Sequence, residues 1–483
     1  MLDPSKRRKR ESAVTKQGYR VGAGFGVFLL LASTGNSVAL SNWARAYGGS
    51  GSDFFSSLEQ TTDGGYVFAG STRSFGAEWN DAWVVKLDSK GRVSWATRYG
   101  GTDSSDWDGA SSIRQTTDGG YIVAGETWSF GAGSADAWVM RLDGNGNIVW
   151  EKTYGGNQGD QADCVRQASD GGFIVAGSTW SFSTSKEIWV LKLNSNGAIQ
   201  WQKTYGGTDG EEDALVERTN DGGYIVAART WSFGAGYVDI WFLRLDGNGN
   251  VIWERTFGGN GWDEANSIRQ TSDNGFIIAG YTYSFGPGPG ETNAWVIKLD
   301  QNGVLSWQKT YGGSTNWKSS RAAWLDLTSD GNFIVAGTTD DFGAGWDDIW
   351  VLKLNSLGNV LWEKRYGMEL GSDPISFVQQ TMDGGFMVAG VNDIFGGDLD
   401  IYLYKLDENG DLPVCIPGFE THTTNAVVST PMLPFILIYS YNVQNTTAIV
   451  LNSNAVVNDT GSEQSQMCPF GGYLPSVMML LDE

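Results

Sequence analysis

Histidine is almost missing: His422 is the single one in 483 residues. One imidazole excludes His-rich metal sites and most catalytic dyads and triads built on that ring. Cysteine occurs three times, too few for a disulfide framework or a four-Cys zinc site. Positive charge is also short, with 33 Lys and Arg against 55 Asp and Glu and a net charge of −22. A phosphate backbone needs a basic surface, so nucleic acid is excluded as a partner. What is abundant is glycine, 67 residues, and aromatic side chains, 13% of the chain with 22 Trp. Charged residues reach only 18%, which rules out a disordered acidic chain. Many glycines with many aromatics fit a β-rich protein with many tight turns.

The two ends differ from the middle. Residues 1–20 are polar and basic, densest at Lys6-Arg7-Arg8-Lys9-Arg10, and 21–33 are apolar or small. That stretch is shorter than the roughly twenty residues a spanning helix needs. With Ser37-Val38-Ala39 behind it, the region reads as an export signal over 1–39, leaving no membrane span once removed. An uncleaved anchor is the alternative. Residues 412–483 form a tail rich in Thr, Asn, Val and Pro, expected to be β-rich or a small domain. Cys415 and Cys468 flank most of it and could form a disulfide after export. Cys164 is expected to be a buried free thiol.

Between the ends, over 40–411, the chain repeats itself seven times. The anchor is a turn such as Asp118-Gly119-Gly120-Tyr121, and successive anchors lie 51 to 57 residues apart. That period indicates a solenoid, propeller or array. One copy resolves into four strands, A to D: Ser112–Thr116, Tyr121–Gly125, Ala137–Leu142 and Ile148–Tyr154. Each is rich in β-formers, with Gly, Asn and Asp at the bends. Seven such units predict an all-β, seven-bladed β-propeller of four-stranded antiparallel blades. Trp43-Ala44-Arg45-Ala46-Tyr47-Gly48-Gly49 is a D strand with no A to C before it, and the last copy lacks its D. The N-terminal strand is therefore expected to close the ring and remove its open edges.

Segments such as Leu87-Asp88-Ser89-Lys90-Gly91-Arg92-Val93-Ser94-Trp95 follow Leu-Asp/Asn-x-x-Gly-x-x-x-Trp. This resembles the blade repeat of quinoprotein-type (PQQ-like) propellers. With Asp-Gly-Gly-Tyr-Ile-Val-Ala-Gly and Trp-x-x-x-Tyr-Gly-Gly, the unit is similar to repeats of exported prokaryotic propeller proteins. The resemblance covers about residues 43–410 and implies a propeller fold. Quinoprotein dehydrogenases carry one more blade, and many have an adjacent cysteine pair beside the cofactor. Neither is present in this sequence, so quinone chemistry, and with it a cofactor, is not expected.

Residues present in every copy are read first as scaffold. Trp83, Trp138, Trp189, Trp241, Trp295 and Trp350 lie in strand C, and Trp43, Trp95, Trp150, Trp201, Trp253, Trp307 and Trp362 in strand D. The strand-C cation, from Lys86 to Lys405, is expected in a blade-edge ion pair. Carboxylates recur at Asp53, Asp108, Asp160, Glu211, Asp263 and Asp373, and again before strand C from Asp81 to Asp400. Two readings stand. Asp108, Asp160, Glu211 and Asp263 could line a Ca²⁺-binding mouth, or each could accept N–H groups within its own blade.

Loop lengths separate the faces. Strand-C and strand-D Trp are always 12 apart, so the C–D turn never varies. All variation falls in the B–C and D–A loops, which antiparallel strands place on one face, where binding usually resides. Trp79, Trp128, Trp180, Trp231 and Trp346 lie in B–C loops and Trp107, Trp262 and Trp317 in D–A loops. Tyr283 takes the place of Trp128, Trp180 and Trp231 in its copy. Such a cluster marks a partner surface, or loops packed on themselves. Rings beside acids and amides suit sugars, which stack and hydrogen-bond. The sixth copy, with Lys318 and Arg321, is basic where others are acidic and is the place for a unique site. The expected function is a non-catalytic exported module binding a glycan or surface polymer. The alternatives are an assembly protein whose tail contacts other protein subunits and, further off, a carboxylate-based glycoside hydrolase or lyase.

Overall fold

The computed structural model describes residues 42–75, 79–101, 107–285, 291–312, 319–340, 348–368, 375–392 and 399–412, and six short strands between 419 and 466. Seven four-stranded antiparallel blades form a ring: 53–100, 108–155, 160–206, 211–257, 263–312, 320–368, and 375–406 completed by Trp43–Gly48. The N-terminal strand pairs antiparallel with strand C of blade 7, Trp43 opposite Lys405 and Tyr47 opposite Ile401. Closure by the first strand is thus as the sequence predicts.

Strands run slightly longer than the sequence pattern suggests. Strand C begins two residues before its Trp, because Asp81 pairs with Thr72 at the end of strand B, and Asp136 with Thr127. The Gly of each Asp-Gly-Gly turn takes a positive φ, from 77 to 86°, where the non-glycine Asn274 sits at 62°. In strand A of blades 1 to 3 one extra residue bulges, between Phe55 and Ser57, Ala110 and Ser112, Ala162 and Cys164. The bulge re-aims the inner strand where it meets the axis.

The repeated side chains join neighbouring blades. Each strand-C Trp is fully buried within its blade interface. Each strand-D Trp meets the first aromatic of strand B in the next blade, edge-on in six pairs, as Trp43 with Tyr66 at 5.9 Å and Trp150 with Phe173 at 6.0 Å, and tilted between Trp307 and Phe333. Its indole Nε1 donates to a carbonyl in that blade's C–D turn, Trp150 to Ser195 at 3.0 Å and Trp201 to Gly247 at 3.1 Å. Four residues on, a buried Tyr hydroxyl reaches the same turn: Tyr99 to Gly146 O, Tyr154 to Gly197 O and Tyr205 to Gly249 O, each 2.6 Å. The turn glycine is required twice over. Gly146 has φ 77°, and an added Cβ would lie 2.8 Å from the Trp95 ring.

Two further links recur. The strand-C cation pairs with the Asp of its own A–B turn, Lys86 with Asp63 at 2.9 Å and Arg244 with Asp221 at 2.5 Å. At the end of strand A, Gln115 accepts from Thr62 N of the preceding blade, and Gln60 accepts from Met382 N across the closure, both at 2.8 Å.

The described tail strands follow the rim. Phe419–His422 adds a fifth strand to blade 6, Val427–Ser429 to blade 5, Asn442–Asn445 to blade 3, Ile449–Leu451 to blade 2, Val456–Asp459 to blade 1 and Glu463–Gln466 to blade 7. Cys415 and Cys468 lie outside the described residues, as does the export signal. Cys164 is buried and free.

Blade 4 offers a test of the Tyr link, because Phe257 stands where its neighbours have Tyr. Phe257→Tyr is expected to add one hydrogen bond to Gly303 O and raise stability by about 1 kcal/mol. Tyr154→Phe should lower it by about 1–3 kcal/mol by orphaning the Gly197 carbonyl. Denaturant titration of the pair checks both.

Candidate functional site

The B–C and D–A loops share one face. Trp128 N donates to Trp107 O at 3.0 Å, Trp180 N to Gly159 O at 2.9 Å, Trp231 N to Gly210 O at 3.0 Å and Tyr283 N to Trp262 O at 2.9 Å. On this face Trp79, Trp128 and Trp180, one on each of blades 1 to 3, are 51%, 51% and 45% exposed. Trp107 is half-buried and lies against Gly109, whose added Cβ would meet the ring at 2.7 Å. Trp317, Lys318 and Trp346 lie outside the described residues.

Blades 4 to 6 gather the remaining predicted residues into one cluster. Trp231 and Trp262 meet edge-on at 5.8 Å. Arg321 is exposed, donates to Tyr283 Oη at 3.0 Å and lies over the Tyr281 ring at 5.0 Å. Tyr281 and Tyr283 are themselves 6.1 Å apart. Glu264 ties the two halves together by accepting from Trp262 Nε1 at 2.9 Å and from Tyr281 Oη at 2.5 Å.

Five members of this cluster escaped sequence reasoning: Glu212, Asp213, Arg229, Glu264 and Tyr281. Arg229 lies over Trp262 at 5.8 Å and pairs with Asp213, with Glu264 at 3.0 Å and with Glu212 at 3.6 Å. Lys186 reaches Glu212 at 2.8 Å. The available signal was departure from the repeat. Asp213 stands where other copies have Ala, Phe or Ile, at φ 56°, in the left-handed region. Tyr281 and Arg229 occupy the strand-B register of Ser71 and Ser178.

The acidic registers are held differently. Asp108 accepts from Ser129 Oγ at 2.6 Å, Gly101 N at 2.9 Å and Thr127 Oγ1. Asp160 has the same partners in Ser181, Gly156 and Thr179. Glu211 accepts from Gly207 N at 3.1 Å and Thr230 Oγ1 at 3.0 Å, and Asp263 from Gly259 N at 2.8 Å and Ser284 Oγ at 2.5 Å. All four are buried. A Ca²⁺ ion here would have to displace those donors, and among the described residues no three carboxylate, Cys or His side chains converge as a metal site.

Each such carboxylate faces the strand-C acid of the preceding blade across the first Gly of Tyr-Gly-Gly. A Cβ on Gly155 would lie 2.1 Å from Asp136 Oδ1 and 2.6 Å from Asp160 Oδ2. Burial, with Asp160 adjacent, pushes Asp136 up to about 6, and burial with Asp263 adjacent does the same to Asp239.

No family model matches the chain, and no curated protein does. Among solved structures, a protein of unknown function from Dyadobacter fermentans is 14% identical, over 75% of this chain and 97% of its own, with TM-score 0.41. One from Bacteroides caccae is 11% identical over 60% and 92%, with TM-score 0.33. A eukaryotic initiation factor structure is 10% identical over 80% and 98%, with TM-score 0.35.

The raised carboxyls fix a pH dependence. An unfolded Asp loses its proton near pH 3.9, while folded Asp136 and Asp239 hold theirs to about 6. Stability is therefore expected to fall as pH rises from 4 to 6 and to stay lower above that window. Urea midpoints measured from pH 4.5 to 7.5 should decline, and Asp136→Asn should flatten the decline.

Proposed function

We propose that the protein is an exported, non-catalytic binding propeller that holds a glycan or surface polymer on the B–C/D–A face. The observation that carries this reading is the row of half-exposed Trp79, Trp128 and Trp180 on successive blades. An extended polymer of stacked rings matches side chains presented at blade spacing, and a compact ligand does not need all three. The cluster of Trp231, Trp262, Tyr281, Tyr283 and Arg321 continues the face with hydrogen-bonding groups among the rings. A pyranose offers C–H faces to such rings and hydroxyls to Glu212 and Arg321.

The assembly reading has one observation in its favour. The tail adds strands to blade rims, and the same pairing works between chains. Loss of oligomers on truncation after Leu412 would support it.

Binding to a panel of soluble polysaccharides checks the first reading. Trp128→Ala and Trp180→Ala should each weaken a hit about tenfold, equal to ~1.4 kcal/mol, with the thermal midpoint unchanged. A panel without a hit, or a hit indifferent to both substitutions, contradicts it.

A further inference from the structure

The axis of the ring, away from the loop face, holds chemistry that the repeat does not require. The residue before the last in strand A points inward in every blade, and the seven are Glu59, Arg114, Arg166, Glu217, Arg269, Asp326 and Gln379. Six charges sum to zero, but they are not evenly placed. Arg166 pairs with Glu217 at 3.0 Å and Arg269 with Asp326 at 3.3 Å. Arg114 and Arg166 are neighbours on adjoining blades with no acid between them.

Arg114 is the odd member. Its Nη1 donates to Ser57 Oγ at 3.0 Å and Ile113 O at 2.6 Å. Among the described residues no carboxylate lies within ion-pair range of it, and its Nε and Nη2 have no acceptor. Arg166 Nη1 is spent on Val165 O at 2.9 Å and Cys164 Sγ at 3.2 Å, leaving Nη2 without an acceptor among the described residues. These guanidinium edges are not sealed from solvent, so water serves them until an acceptor displaces it.

The adjoining cavity, about 160 Å³, is lined by Arg114, Arg166, Arg269, Ser57 and Ser112 among others. Its hydroxyls are oriented by the blades. Ser57 Oγ accepts from Ile113 N and Ser112 Oγ accepts from Val165 N, both at 3.3 Å. Each oxygen thus accepts from the next blade, and each O–H proton has no acceptor among the described residues. Two hydroxyl donors and two guanidinium edges converge on one enclosed space. Asp163 also lines the cavity; its carboxylate is engaged by Ala214 N at 3.0 Å and Gln161 Nε2 at 3.0 Å, and burial pushes it up to about 6. The volume exceeds several waters at about 30 Å³ each, enough for a tetrahedral oxyanion. A wider opening of about 210 Å³, lined by Glu59, Gln379 and the same arginines, leads to it.

We propose that this axial cavity binds one small inorganic oxyanion, sulfate or phosphate, between Arg114 and Arg166 with Ser57 and Ser112 as further donors. The anion completes the seven-blade closure, because it bridges the strands of blades 1, 2 and 3 at the axis. It is independent of the glycan reading.

Calorimetric titration of the full chain with sodium phosphate and with sodium sulfate, at ionic strength held constant with sodium chloride, tests it. The expected result is saturable binding of one anion per chain, with a parallel rise of the thermal midpoint. Arg114→Gln should abolish the saturable phase. Ser57→Ala and Ser112→Ala, which leave the charge ring intact, should each weaken it about tenfold and decide the matter if Arg114→Gln does not fold. No saturation in the native chain, or saturation unchanged in the serine variants, overturns the proposal.

Discussion

The ring depends on one contact made between each blade and the next. A strand-D Trp and the Tyr four residues later both reach over to the C–D turn of the following blade, and a glycine there leaves room for the indole. The ring edge, the indole N–H and the phenol O–H are all satisfied by that turn. No blade can bury its own strand-D Trp, so none is complete alone. This is the general condition of repeat architectures, in which neighbours supply the core. The seventh interface is made by residues at opposite ends of the repeat region, with Trp43 and Tyr47 docking on blade 1 after their strand has paired with blade 7.

That constraint explains why the copies vary on one face. The C–D turn must keep its length and its glycine to receive Trp and Tyr. The A–B turn must keep its Asp for the strand-C cation and its N–H for the neighbouring Gln. Only the B–C and D–A loops, and the strand ends beneath them, are released from these duties. There the copies diverge. Blade 4 places Asp213 in a left-handed conformation to meet Arg229, and blade 6 presents Arg321 on two tyrosines.

Most of the fold was legible because it is written seven times. The Asp-Gly-Gly turns, the fixed separation of strand-C and strand-D Trp, and the orphan Trp43 strand together specify blade number, strand order and closure. The scaffold roles of Lys86 and its counterparts also follow from repetition. The site was legible only in part. Loop Trp residues stand out by type and Arg321 by its charge, and Trp79, Trp128 and Trp180 lie on the B–C/D–A face, as their loops predict. Glu212, Arg229, Glu264 and Tyr281 were not, because ordinary polar residues in a strand look like solvent-facing positions. Only the ring brings strands A and B of adjoining blades together, and no single repeat contains that information. The axial cavity escaped for the same reason, since Arg114 and Arg166 lie 52 residues apart in the chain.

The central claim is that repeated Trp hold the ring together while unrepeated Trp serve a ligand. Unfolding free energies for a matched set of Trp→Ala variants test it most directly. The account predicts that Trp138 and Trp189, buried in strand C, each cost about 3–5 kcal/mol. Trp79, Trp128 and Trp180, exposed on the loops, should each change stability by less than about 0.5 kcal/mol. Comparable losses in the two groups would contradict it, because the loop Trp would then be part of the scaffold.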